Sequence, residues 1–211
     1  MKKEIYILGV GHSTPLTIEL AEACGYSVAG LYHYAPGKTG ETEYGVRILG
    51  THEDLFAESS LSGRMFALSM GDNSIRETLF NRITNKGGTL PTLIHPTCIV
   101  SRFSTVGEGS QLDAYCCIQA NSHIATNCMI RPYVLIGHNT DIGSNTFIAA
   151  HTSVGAYMTF GNNVFVGLSA VLLSSKVKTV GHHAIIGAGA VVNRDIEDQA
   201  VVVGNPAKRI K

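Results

Sequence analysis

From Ile94 to Leu172 an apolar residue returns at every sixth position: Ile94, Val100, Val106, Leu112, Ile118, Ile124, Ile130, Ile136, Ile142, Ile148, Val154, Phe160, Val166 and Leu172. All except Leu112, Phe160 and Leu172 are β-branched. Six is a multiple of the two-residue side-chain period of a strand, and a helix of 3.6 residues per turn does not reproduce it. A short fixed period of this kind predicts a solenoid. Four residues beyond each apolar position stands a mostly small side chain, among them Cys98, Ser104, Ser110, Cys116, Ser122, Cys128, Thr140 and Thr152. Glycine often follows the apolar residue directly, as at Gly107, Gly137, Gly143, Gly155, Gly161 and Gly167, where a corner tolerates little bulk. The pattern predicts a prism of short parallel strands, three to a coil, with coils stacked roughly 4.8 Å apart. Each coil buries its aliphatics against its neighbours, so any chemistry belongs on the outside or at contacts between chains.

Residues 1–88 carry a different pattern. Strands are predicted at Glu4–Leu8, Ser27–Tyr32, Val46–Gly50 and Arg64–Ser69, and helices at Thr14–Cys24, His52–Ala57 and from an Asp72 cap to Asn85. Alternation of strand and helix predicts a small parallel, Rossmann-like α/β domain. Lys86-Gly87-Gly88 is read as the hinge, giving domains at 1–88 and 89–211. The Gly9-Val10-Gly11 turn invites a dinucleotide reading, but Thr14 stands where the third glycine belongs. Tyr32 and His33 likewise stand where an acidic ribose ligand belongs. Two glycines at a strand-to-helix turn still favour a phosphate.

Sixteen basic and sixteen acidic residues give zero formal charge, against a nucleic-acid or acidic-membrane partner. No apolar run has transmembrane length, and the N-terminal stretch lacks the apolar core of a signal peptide, so a cytoplasmic location is predicted. Five cysteines without a secreted spacing are read as reduced thiols, with Cys98 and Cys116 stacked one coil apart. The nine histidines form no zinc-spaced Cys/His cluster, and no metal is expected.

The array, with the ending Gly204-Asn205-Pro206-Ala207-Lys208-Arg209-Ile210, resembles the left-handed β-helix acyltransferases that use acyl-coenzyme A. Gly9-Val10-Gly11-His12, Gly71-Asp72-Asn73-Ser74-Ile75-Arg76 and Leu93-Ile94-His95-Pro96 narrow the resemblance to the sialic acid O-acetyltransferase family. That family includes N-acetyltransferases of nucleotide-linked amino sugars. The resemblance implies a left-handed helix, a homotrimer with active sites between subunits, acetyl-coenzyme A as co-substrate, and a sugar amine or hydroxyl as acceptor.

It also implies site residues. His138 is the implied general base, a role suited to neutral imidazole. Relatives commonly follow this histidine with a carboxylate, and here Asn139 follows it, leaving Asp113 or Asp141 as possible partners. Phe147, Ala156, Leu168 and Ala188 match coenzyme positions, although relatives often carry a polar side chain at Phe147. Backbone N–H groups are therefore the expected oxyanion donors. Lys208 and Arg209 are read either as partners of coenzyme phosphates or as solvated tail charges. Gly11 and His12 match the phosphate turn for the sugar nucleotide, and Gly71 a close-approach glycine. Tyr32 and His33 stand where relatives that bind uridine-linked sugars are acidic, and Arg131 where some relatives have asparagine near the sugar, which implies a different sugar or nucleotide. Two other readings stand beside this one. One is a catalytically inactive binding module. The other is a zinc hydratase like the γ-class carbonic anhydrases, for which His123, His138 and His151, fifteen and thirteen residues apart, have the wrong spacing.

Overall fold

The computed structural model describes residues 2–211. The chain divides into two compact units, the second spanning Ile94–Lys211. The first unit therefore runs five residues past the Gly88 expected from sequence. The Thr89 N–H donates to the Arg64 carbonyl and the Phe66 N–H to the Thr89 carbonyl, while Leu90 and Leu93 are buried in the first unit's cores.

The first unit contains β1 (Lys3–Leu8), α1 (Thr14–Ala23), β2 (Tyr26–His33), β3 (Thr42–Glu43), β4 (Val46–Thr51), α2 (His52–Ala57), β5 (Phe66–Leu68) and α3 (Asn73–Asn85). The sheet order is β3-β4-β2-β1-β5, parallel except for the β3–β4 pair. That hairpin turns through Tyr44 and Gly45, both with positive φ. α2 starts in a full capping box, with the Thr51 side chain on the Asp54 N–H and Asp54 on the Thr51 N–H. Asp72 caps α3 through the Ile75 N–H.

In the second unit every predicted apolar position from Leu112 to Leu172 is buried, in two-residue strands that share three parallel sheets. Partners lie one coil apart: Leu135 faces Ser153, which faces Val171. The small side chains four residues on also point inward and stitch coils together. Ser122 Oγ donates to the Gly137 carbonyl (2.8 Å) and accepts from the Thr140 N–H (3.2 Å), and Ser110 and Thr140 do the same on neighbouring coils. A buried hydroxyl is tolerated here because both of its roles are filled.

The glycines after the apolar residues owe their place to crowding between coils. A Cβ on Gly143 would lie 2.3 Å from the Gly161 carbonyl oxygen. Positive φ falls two residues later, at Tyr115, Asn121, Asn127, Tyr133, Asn139, Asn145, His151 and Tyr157 among others. The step of six slips by two between Leu172 and Val180, through the turn at 174–178. The chain ends in an antiparallel pair of Val201–Val203 with Lys208–Arg209.

Candidate active site

In the first unit the turns beyond the C-terminal ends of β1, β2 and β5, with the start of α2 after β4, enclose a cleft of about 400 Å³. Its walls are Gly9, Val10, Gly11, His12, Ser13, Tyr34, His52, Ser69, Met70, Gly71 and Ile75. Gly11, His12 and Gly71 therefore share one cleft. Thr14, in place of a third glycine, fastens the turn: the Gly11 N–H donates to Thr14 Oγ1 (2.8 Å), whose hydroxyl donates to the Gly9 carbonyl (3.1 Å). Gly11's own N–H is thereby occupied, which removes it from the anion-binding nest expected from the two glycines. The turn containing Gly71 is braced from below by the fully buried Arg76, whose guanidinium donates to the Met70 and Gly71 carbonyls.

Tyr32 and His33 do not form walls of this cleft. Tyr32 is buried in the core against Tyr6, and its hydroxyl accepts from Arg64 (2.7 Å). Residues along a strand alternate faces, and Tyr32 faces the packed side. His33 is also buried; its Nδ1 accepts from the Ala35 N–H (2.7 Å), and its ring stacks under the exposed Tyr34 at 4.4 Å. Tyr34, His52, Ser69 and Met70 were not singled out from sequence, and Ile75 entered only as part of the Gly71–Arg76 motif. The signal that finds them is positional: ligands of parallel α/β sheets collect at the carboxyl ends of the strands. Burial pushes the His52 imidazole below its ordinary pKa, against a hydrogen bond to the Tyr32 backbone that favours its charged form.

In the second unit the turns stack into edges. One edge carries Gln119–Ala120, Gly137–Asn139, Gly155–Tyr157 and the turn at Ser174. The Asn139 N–H donates to the Ala120 carbonyl and the Tyr157 N–H to the His138 carbonyl. His138 is half-buried here, with the Tyr157 ring edge-on at 4.9 Å. Its Nδ1 lies 2.9 Å from Asn139 Oδ1. An amide oxygen only accepts, so in the neutral imidazole the proton sits on Nδ1 and the lone pair on Nε2, the form a general base requires. Asn139 has φ 55°. Asparagine suits that left-handed conformation, which Asn121, Tyr157 and Ser175 share at this phase.

Neither aspartate considered as a partner contacts His138 among the described residues. Asp113 is buried and pairs with Arg131 at 3.1 Å; burial pushes its carboxyl up while Arg131 opposes the shift. Asp141 is exposed in the strand facing His123 and Thr159. Asn139 is thus the side chain that orients the ring.

Ala156 lies one coil beyond His138 on the same edge. Arg131, Leu168 and Ala188 lie on a second edge, where the Gly189 N–H donates to the Leu168 carbonyl and the His151 N–H to the Pro132 carbonyl. Tyr115, Tyr133 and His151 form an exposed ladder of stacked rings there, 4.9 Å apart at each step. Phe147 stacks on Phe165 at 5.2 Å on the face leading into that edge. The residues matched to the coenzyme are therefore divided between two edges of one chain. Arg209 pairs with Glu197, and Lys208 is exposed. Among the described residues no helix is long and apolar enough to cross a membrane.

The bacterial transferase hexapeptide family (six repeats) matches residues 121–156, the coils that carry His138 and Asn139. A dTDP-3-amino-3,6-dideoxy-alpha-D-galactopyranose 3-N-acetyltransferase of Aneurinibacillus thermoaerophilus is 42% identical over 43 residues, which is 20% of this chain and 21% of that protein. The chain thus aligns with about a fifth of that curated relative's length. Solved structures match along the whole chain. A variant of the perosamine N-acetyltransferase of Caulobacter crescentus, in complex with CoA and GDP-perosamine, is 28% identical. It covers 99% of this chain and 97% of that one, with a TM-score of 0.90. The acetyltransferase domain of PglB from Neisseria gonorrhoeae, in complex with acetyl coenzyme A, is 26% identical over 100% of both chains, with a TM-score of 0.89. The prism is accordingly the left-handed β-helix of these enzymes, joined to an α/β unit.

Proposed function

We propose that the chain, a member of the hexapeptide transferases and a homologue of the sugar N-acetyltransferases, moves the acetyl group of acetyl-coenzyme A to a nucleotide-linked sugar. The acceptor is an amine or hydroxyl, in the biosynthesis of a bacterial surface glycan. The observation that carries this reading is the whole-length likeness to enzymes solved with CoA and GDP-perosamine, on a chain whose half-buried histidine is held in its basic tautomer.

His138 Nε2 takes the proton from the acceptor as the acceptor atom attacks the thioester carbon. The carbon–sulfur bond then breaks, and the leaving thiolate takes the proton from the imidazolium. Asn139 keeps the ring aligned throughout but brings no charge to stabilise the imidazolium. The cleft at Gly11, His12 and Gly71 holds the sugar nucleotide. The active enzyme is a cytoplasmic homotrimer, in which the edge bearing His138 and Ala156 meets a neighbour's edge bearing Leu168 and Ala188. Closed threefold packing would unite residues that one chain keeps apart.

The test is acetyl transfer from acetyl-coenzyme A to a panel of 4-amino nucleotide sugars and free sialic acid. His138→Ala is expected to lower kcat by about 10²–10⁴, the usual contribution of a general base, with an unchanged circular dichroism spectrum. An unchanged rate rejects His138 as the base, and sedimentation at the mass of a single chain rejects the shared site.

A further inference from the structure

Where a parallel α/β unit reads a ribose, a carboxylate at the end of the second strand accepts from the ribose hydroxyls. Here β2 ends in Tyr32 and His33, and the fold takes both out of the cleft. Tyr32 is buried, and its hydroxyl oxygen accepts from Arg64 (2.7 Å) on the packed side of the sheet. His33 is buried too, and its Nδ1 accepts from the Ala35 N–H (2.7 Å). With that nitrogen accepting, the proton of the neutral ring sits on Nε2, so His33 keeps no lone pair for a hydroxyl. Neither residue offers the acceptor that a ribose hydroxyl needs.

The next residue supplies something else. Tyr34 is a wall of the cleft and is 75% exposed. One face of its ring lies on the His33 ring, with centroids 4.4 Å apart and planes 24° from parallel. The buried imidazole, pinned by Ala35, therefore backs the phenol ring and leaves its other face open. Flat rings stack on such a platform, and a platform already in position costs little ordering on binding. Among the described walls of the cleft, Tyr34 carries the one phenyl-type ring.

We infer that the cleft takes a nucleoside diphosphate by stacking its base on Tyr34, and that it accepts ribose and 2′-deoxyribose alike. The inference rests on the proposed sugar-nucleotide reading of this cleft and narrows the nucleotide it takes. The diphosphate lies at the turns of Gly11, His12 and Gly71, and the base, the flat part of the ligand, lies on the open face of Tyr34. Stacking uses the π face that every base has, so it selects no single base strongly. The 2′ position meets no acceptor from β2, so removing its hydroxyl leaves no buried polar group unpaired. The substrate class is therefore sugars linked to ribo- or deoxyribonucleoside diphosphates.

Calorimetric titration of the full-length protein with UDP, dUDP, GDP, dGDP and inorganic pyrophosphate tests this without coenzyme or acceptor. Each ribo and deoxy pair is expected to bind with the same affinity. Pyrophosphate is expected to bind about 5- to 150-fold more weakly, the usual worth of one stacked base. Tyr34→Ala should cost the nucleotides that same factor and leave pyrophosphate binding unchanged, which also reports an intact fold. Tyr34→Phe should bind as the wild type does. A deoxy form weaker than its ribo partner would overturn the indifference to ribose. Nucleotide binding that is equal in wild type and Tyr34→Ala, or no tighter than that of pyrophosphate, would overturn the platform. Tyr34-dependent binding in a protein that acetylates no sugar would leave the inference standing and sink the transfer reading alone. His138-dependent acetylation of free sialic acid, with no nucleotide binding, would do the reverse.

Discussion

The two units bury their apolar residues by opposite means. In the α/β unit, Leu8, Leu55, Phe66 and Leu68 pack in one irregular cluster, and each meets a different set of neighbours from strands and helices. In the β-helix, Ile136 meets Ile118 on one side and Val154 on the other, and the same relation recurs in every coil. One unit can adjust around a change by moving a helix. The other has no such freedom, because its coils are locked at the strand spacing by hydrogen bonds on both sides. Functional groups follow the same division. The cleft of the α/β unit gathers residues far apart in sequence, whereas the edge of the prism gathers residues at a fixed phase.

Glycine substitutions should show the contrast most strongly. Gly143→Ala places a Cβ against the backbone of the next coil, and a loss of about 1–3 kcal/mol is expected from overpacking a rigid contact. Gly11→Ala meets no atom within 4 Å, so its melting temperature should match the wild type. Calorimetry on both variants reads the difference; a Gly143→Ala protein as stable as Gly11→Ala would mean the coils can spread after all.

A smaller effect concerns pH and singles out the α/β unit. The folded state holds His52 below its ordinary pKa, mainly by burial, so the unfolded chain takes up this proton first as the solution is acidified. The contribution is complete above pH 6.5 and is lost as pH falls through the depressed folded value. Urea midpoints measured from pH 7.5 down to 5 should decline less steeply for His52→Gln than for the wild type. Parallel curves would show that other groups govern the acid limb.

The smallest expected effect lies in the first coils of the prism. Cys98 is half-buried, and a hydrogen bond with the Cys116 thiol brings its pKa down to about 7, while the buried Cys116 is pushed up by that same bond and by burial. Iodoacetamide at pH 7.5 should therefore label Cys98 well before Cys116, as read by peptide mass spectrometry. Equal labelling would mean that the first coil opens on the timescale of the reaction.

Legibility followed the same line between the units. Every strand of the prism from Leu93 to Leu172 stands where the six-residue step put it, because a repeat announces each position many times over. The strands and helices of the α/β unit were also legible within a residue or two, from caps such as Asp72 and stops such as Gly25. The β3–β4 hairpin was not, since Thr42 and Glu43 carry no apolar alternation. At the candidate sites, His138 could be picked out because phase and resemblance agreed on it. Tyr34 and His52 could not, because nothing local distinguishes a wall of a cleft from any other surface side chain.

What the sequence determined by itself is the set of residues that must point inward and the corners that must turn, since burial and left-handed backbone each select narrow residue types at a fixed period. What only the tertiary structure decided is where polar hydrogens and lone pairs end up. Asn139 instead of a carboxylate on His138, Asp113 bound to Arg131, and Ser174 on the Ala156 N–H all depend on which coil lies beside which. Hydrogen bonds are satisfied over about 3 Å in space and take no account of separation along the chain.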